Sequence, residues 1–166
     1  MTAKKLIRTV HLWLGLACGL VVVVSMGAAA VFVWEKELTD WYYHDRVFVE
    51  PSGGPVKPLS ELFTVARRAV PGKALEGVDI SRDPRRAYVF TAYHYHEQHR
   101  GWSHWDDYGY WDRVYVNPYT GRVTGTVNVL TDWIDLTRRL HQNLLLRYDV
   151  GHYLVGFATL FVLVLT

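Results

Sequence analysis

Among the eight histidines of the chain, His11 stands where a basic start (Lys4, Lys5, Arg8) gives way to a long apolar run. Haem iron takes neutral imidazole as an axial ligand, and the porphyrin needs an apolar slot along its length. On an ideal helix Gly15, Cys18, Val22 and Ala29 fall within about 40° of the face of His11. Small residues four and seven positions on leave a groove beside the ring, suited to a flat macrocycle or to another helix packed closely through small residues. The simpler alternative is a histidine at the membrane boundary touching headgroups, where desolvation costs little. At the other end of the chain His141 follows Arg138 and Arg139, as a surface histidine would, and His152 opens a second apolar run.

A further set lies in "YHYHEQHRGWSHWDDYGYW", residues 93–111. His94 and His96 alternate on a strand and point the same way, His99 is close, and His104, Asp106 and Asp107 follow. Imidazole and carboxylate at such spacing can chelate a metal, but the stretch has no cysteine and matches no zinc signature, so a polar aromatic hairpin extension reads equally well. Its tryptophans and tyrosines suit the docking of a partner, of an aromatic ligand or of a membrane surface. The chain contains no nucleophile–base–orienter set, no phosphate loop and no basic face for nucleic acid.

The elements that must position these residues are segregated more sharply than the net charge of +2 implies. From Leu12 to Trp34 there are 23 residues without Asp, Glu, Lys or Arg; as a helix they would run about 34 Å, enough to cross a hydrocarbon core of about 30 Å. Lys4, Lys5 and Arg8 precede this span and Glu35, Glu37, Asp40 and Asp45 follow it, which predicts a cytoplasmic N-terminus (residues 1–11), a span over 12–34 and an outward-facing middle segment, periplasmic in a bacterial inner membrane. A cleaved signal peptide is disfavoured, because the apolar stretch exceeds an ordinary h-region of about 7 to 15 residues. Cys18 is the single cysteine, so no intramolecular disulfide forms. A second span is expected over 150–166. Only 16 residues remain from Gly151, about 24 Å of helix, which fits a fragment of a protein with further helices.

Between the spans, Trp41, Tyr42, Tyr43 and His44 read as an interfacial belt, and "PSGGPVKP" closes a linker segment over 35–57. Residues 58–132 read as one α+β unit. Leu59, Leu62, Phe63, Ala66 and Val70 recur at helical spacing, with Ser60 as the expected N-cap and Pro71-Gly72 as the stop. Strand-like runs follow, the last two joined by the turn Asn117-Pro118-Tyr119-Thr120-Gly121. Residues 133–149 predict an interfacial amphipathic helix, with Ile134, His141, Leu145 and Tyr148 in one stripe and Asp149 capping the second span. If the helix were continuous instead, His141 and His152 would share a face about 16 Å apart.

"PLSELFTVARRAVPG", a strand pair and "VYVNPYTGRVTG" together resemble the PepSY domain, which ends in a strand, a D/N-P-x-T-G turn and another strand. "HLWLGLACGL…VFVWEKEL" and "RRLHQNLLLRYDVGHYLVGFATLFVLVLT" are similar to the first and second membrane segments of PepSY-associated transmembrane proteins. The resemblance covers nearly the whole chain. It implies a membrane protein of transmembrane α-helices plus a periplasmic α+β PepSY-like domain, one helix on an antiparallel sheet. It further implies b-type haem held by membrane histidines, as in the family's siderophore-iron reductases. On that basis His11, His141 and His152 are the expected iron ligands, with Gly15 beside the ring; His141 matches the family's L-H dipeptide. His11 lies near one membrane face and His141 and His152 near the other, roughly 25 to 30 Å away. One iron cannot take ligands from both ends, so two haems are expected, one per leaflet. Their remaining ligands would come from further helices or a second chain, and the electrons would go to a ferric chelate. The competing reading is a cofactor-free accessory subunit that docks a partner through its PepSY-like domain.

Overall fold

The computed structural model describes residues 2–97 and 101–165. Helix α1 (Ala3–Phe32) takes in Lys4, Lys5, Arg8 and His11 as its first turns, because nothing between residues 3 and 12 breaks a helix. Among the described residues it is the one helix long and apolar enough to cross a membrane. Two short helices, α2 (Glu35–Tyr42) and α3 (His44–Val47), carry the chain away from it.

Helix α4 (Leu59–Ala69) lies on a four-stranded antiparallel sheet in the order β1 (Leu75–Asp79), β2 (Tyr88–Tyr95), β3 (Tyr108–Val116), β4 (Val123–Asn128). Period-2 alternation divides the sheet residues cleanly. Phe90, Ala92, Val114 and Val116 turn to one face and meet Leu62, Ala66 and Val70 of α4, every one of them buried. Ala87, Tyr115 and Val127 turn to the other face, against Val47 and Val49. The helix begins at Leu59 rather than after Ser60. Pro58, with φ preset near the helical value, takes the cap position, and the Ser60 carbonyl accepts the Thr64 hydroxyl inside the helix. The β3–β4 turn forms as expected: Asn117 Oδ1 accepts the amides of Tyr119 (2.9 Å) and Thr120 (3.1 Å), the side chain imitating a backbone turn.

The sheet's second face is tied to helix α5 (Trp133–Asn143) by charge. Asp135, wholly buried, receives Arg113 of β3 through two hydrogen bonds (2.8 and 3.0 Å) and also pairs with Arg138. Asp132 caps α5 by accepting the Asp135 amide (3.1 Å). Helix α6 (Tyr148–Leu165) follows, apolar but only 18 residues long.

The helix over 133–149 is not continuous. Leu144 and Leu145 both take positive φ (55° and 59°), which breaks it after Asn143. Two leucines in this region are strained, at a cost of about 1 kcal/mol or more each. The strap between β2 and β3 holds them there: the His104 amide donates to the Leu145 carbonyl (2.9 Å) and the Arg147 amide to the Trp102 carbonyl (2.8 Å). Asp149 lies inside α6, which begins at Tyr148, and not ahead of it. The Tyr148 amide donates to Asp107 Oδ2 (3.2 Å), so the strap supplies a carboxylate at the helix start, while Asp149 pairs with Arg147 and accepts the Val150 amide (2.9 Å). Gly151 makes the joint fit, since a Cβ there would lie 2.0 Å from the Asn143 carbonyl oxygen.

Candidate functional site

Helix α5 runs back along the outer half of α1. At its start Tyr43 donates to Asp132, and Trp133 meets the Tyr42 ring edge-on at 5.7 Å. Further along, the Arg138 guanidinium sits 5.9 Å from the Phe32 ring centre. In the last turn His141 reaches Ser25, which is seven residues, or about 10 Å, inside the end of α1.

Ser25 and His141 clasp each other. The buried Ser25 hydroxyl donates to the His141 carbonyl at 2.7 Å. The imidazole Nδ1 lies 3.1 Å from the Ser25 carbonyl oxygen and 3.1 Å from its hydroxyl oxygen. The hydroxyl proton is already committed to the His141 carbonyl, so the ring nitrogen is the donor here. That assigns the proton to Nδ1 and leaves the lone pair on Nε2. A histidine whose Nδ1–H is held by a backbone carbonyl is oriented and made more basic for metal coordination through Nε2.

His11 lies on the same helix, fourteen residues from Ser25, about 21 Å along the axis. It is exposed, and a Cβ at Gly15 would meet nothing within 4 Å, so the flank beside the imidazole is open. Farther along α1, Ala17, Cys18 and Val21 form one wall of an apolar groove of about 450 Å³; Leu154, Phe157, Ala158 and Phe161 of α6 form the other. Cys18 is thus in the wall of a groove on the His11 side of the helix. His152, exposed in the first turn of α6, stacks on Tyr148 at 5.2 Å with the planes 15° apart.

The histidine-rich stretch is divided by the fold. His94 and His96 come together, with ring centres 5.6 Å apart. His104 is carried off into the joint between the strap and α5, where it is 1 % exposed and neither ring nitrogen has a hydrogen-bond partner. Burial there, aided by the Arg139 guanidinium, holds its pKa down at about 4. Asp106 is used in a capping box with Ser103, and the Asp107 carboxylate serves α6. His99 lies outside the described residues. Among the described residues no three metal-ligating side chains converge.

Two of these features leave a signal in the sequence. Ser25 is the one hydroxyl residue in the apolar run from Leu12 to Trp34, and a polar side chain there needs a partner. Asp135, Arg138 and Arg139 are too many charges for the buried side of an amphipathic helix unless another element pairs them. Two more charge contacts fasten the domain. Asp40 of α2 receives Arg86 (2.8 Å), whose guanidinium holds the Asp40 carboxyl below the usual carboxylate range. Burial and the hydrogen bond to Asp132 push the Tyr43 phenol up.

Residues 8–166 match the family model of the PepSY-associated TM region, so the chain belongs to that family. The comparison with curated proteins found no match. A membrane helix joined to a PepSY-like α+β domain is what this architecture is.

Proposed function

We propose that this member of the PepSY-associated transmembrane family moves electrons across a bacterial inner membrane through b-type haem. One haem would be held at the Ser25–His141 crossing and a second beside His11. The observation that carries this reading is the contact of His141 Nδ1 with the Ser25 carbonyl oxygen (3.1 Å), which puts the ring proton on Nδ1 and leaves Nε2 its lone pair. The residues fit such a group at the other end too, where His11 has an open flank at Gly15 and an apolar groove lies along the same side of α1.

When bound, haem would supply one-electron chemistry. Ser25 orients the His141 ring, and the apolar walls of α1 and α6 keep water from the path between the two ends. His152, exposed and stacked on Tyr148, stands as an additional ligand candidate at the outer end. The remaining ligands would come from further transmembrane helices or a second chain. Lys4, Lys5 and Arg8 before the span favour a cytoplasmic N-terminus and a periplasmic domain. The terminal acceptor would be a ferric chelate such as a siderophore, reduced on the periplasmic side, and surrounding lipid is the remaining partner.

A pyridine haemochrome spectrum of the chain purified from haem-replete cells tests the reading. Wild type should show b-type absorbance, and His141→Ala and His11→Ala should each lose about half of it, each removing a ligand of one of the two proposed haems. A wild-type protein without b-type absorbance would leave a tethered interaction module.

A further inference from the structure

We infer that His94 and His96 form a two-imidazole site for a borderline divalent cation, Cu²⁺ most tightly, on the PepSY-like domain. The pair sits at the end of β2, on the face of the sheet that α4 covers farther along. Period 2 turns both rings to that face, and their centres lie 5.6 Å apart with perpendicular planes.

What makes the pair a site is the residue opposite. His94 is in register with Tyr110 and Tyr95 with Tyr108, so Gly109 is left unpaired in a bulge beneath the two rings. A Cβ at Gly109 would stand 3.0 Å from His94 Cδ2, 3.3 Å from His96 Cε1 and 3.7 Å from His96 Nε2. The glycine therefore keeps a gap bordered by His94 Cδ2 and by the Cε1–Nε2 edge of His96. A side chain at 109 would crowd both rings. With glycine there, a half-turn of the exposed His94 ring about its Cβ–Cγ bond, which keeps the ring plane, exchanges Cδ2 for Nδ1 and brings a nitrogen of each ring to the gap.

The His94 ring and the His96 backbone are held by contacts that leave the ring nitrogens unused. His94 stacks on Tyr110 at 5.8 Å, and the Tyr110 hydroxyl is fixed by the Ala74 amide at 2.9 Å. The His96 amide donates to the Asp107 carbonyl (2.9 Å), which anchors the strand end. Lys73, over the Tyr110 ring on this face, is paired with Asp112, which reduces its repulsion of an incoming cation. His94 is exposed and His96 half-buried, so the gap opens to solvent. Two neutral imidazoles with the remaining positions left to water favour Cu²⁺ over Ni²⁺ and Zn²⁺, following the stability order of divalent first-row metals with nitrogen ligands. This site lies apart from His11 and His141, and its test does not depend on haem.

The full chain in detergent is titrated with Cu²⁺, and binding is read by electron paramagnetic resonance, where imidazole nitrogens split the copper signal. Wild type should show one bound Cu²⁺ with nitrogen splitting. His94→Ala and His96→Ala should each weaken binding by at least about tenfold, as expected when a ligand rather than its support is lost. Gly109→Ala, with both histidines intact, should weaken it too. Circular dichroism of each variant confirms the fold. Wild-type affinity in any of the three folded variants, or a wild-type signal without nitrogen splitting, overturns the assignment.

Discussion

His141, in the last turn of α5, and His104, packed beside Arg139 of the same helix, meet opposite surroundings. His141 is half-buried among apolar helices, yet its Nδ1 and its carbonyl are both engaged by Ser25. His104 is deeper, 1 % exposed, with both nitrogens unpartnered and Arg139 nearby. The first arrangement fixes the ring and leaves Nε2 its lone pair; the second suppresses protonation and stakes stability on the ring staying neutral. Depth alone therefore says little about what a histidine does. The partners of its two nitrogens say most of it.

Both histidines depend on α5 being fixed to the sheet, so the largest effect falls on Asp135. Asp135→Ala leaves Arg113 and Arg138 without their carboxylate and should cost about 3 to 5 kcal/mol, as removal of one partner from a buried ion pair does. Chemical denaturation of the domain measures it. A cost within ordinary surface values would detach α5 from the comparison altogether.

Next comes acid. The unfolded His104 takes up a proton near pH 6.5 and the folded one only at about 4, so between those values the unfolded chain binds more protons and stability falls as pH falls. Integrated over that window the loss is roughly 3 kcal/mol. His104→Leu should abolish it, and an unchanged pH profile in that variant would refute the contrast with His141. Asp40 acts lower on the scale. Its carboxyl is depressed by Arg86, so its contribution is present above the unfolded value of about 3.9 and lost as pH falls through the folded one.

Ser25→Ala should be milder, about 1 to 2 kcal/mol for the lost hydroxyl bond in a buried setting. Because the Ser25 carbonyl survives, the Nδ1 donor bond should persist, and under the proposed haem reading the haem-to-chain ratio should stay while the absorbance maxima shift. The smallest effect is expected at His152, where alanine replaces an exposed ring and should alter stability by no more than about 0.5 kcal/mol. A loss there as large as that of Ser25→Ala would mean that the Tyr148 stack carries more than surface packing.

The apolar span, helix α4, the strands and the Asn117 turn were readable because each rests on local chemistry: a charge-free run, a 3.6 period, a 2.0 period and an Asx side chain. The α5–α6 break was not, because Leu144 and Leu145 are helix formers with no glycine or proline beside them. The backbone there follows bonds from Trp102 and His104, some forty residues earlier in the chain. Nor did the stretch at 93–111 reveal which of its histidines would meet: the bulge at Gly109 joins two of them, and the strap removes a third to the core.

By its own residues, the chain determines that it enters a membrane, that an α+β unit follows and that histidines stand near both ends of the apolar segments. These follow from composition and period, which act over a few turns. Only the tertiary structure decided that α5 folds back to place His141 against Ser25 and that His104 is sealed beside Arg139. Those outcomes rest on pairing across more than thirty to a hundred residues, where a hydrogen bond or ion pair chooses among faces that local propensity leaves equal.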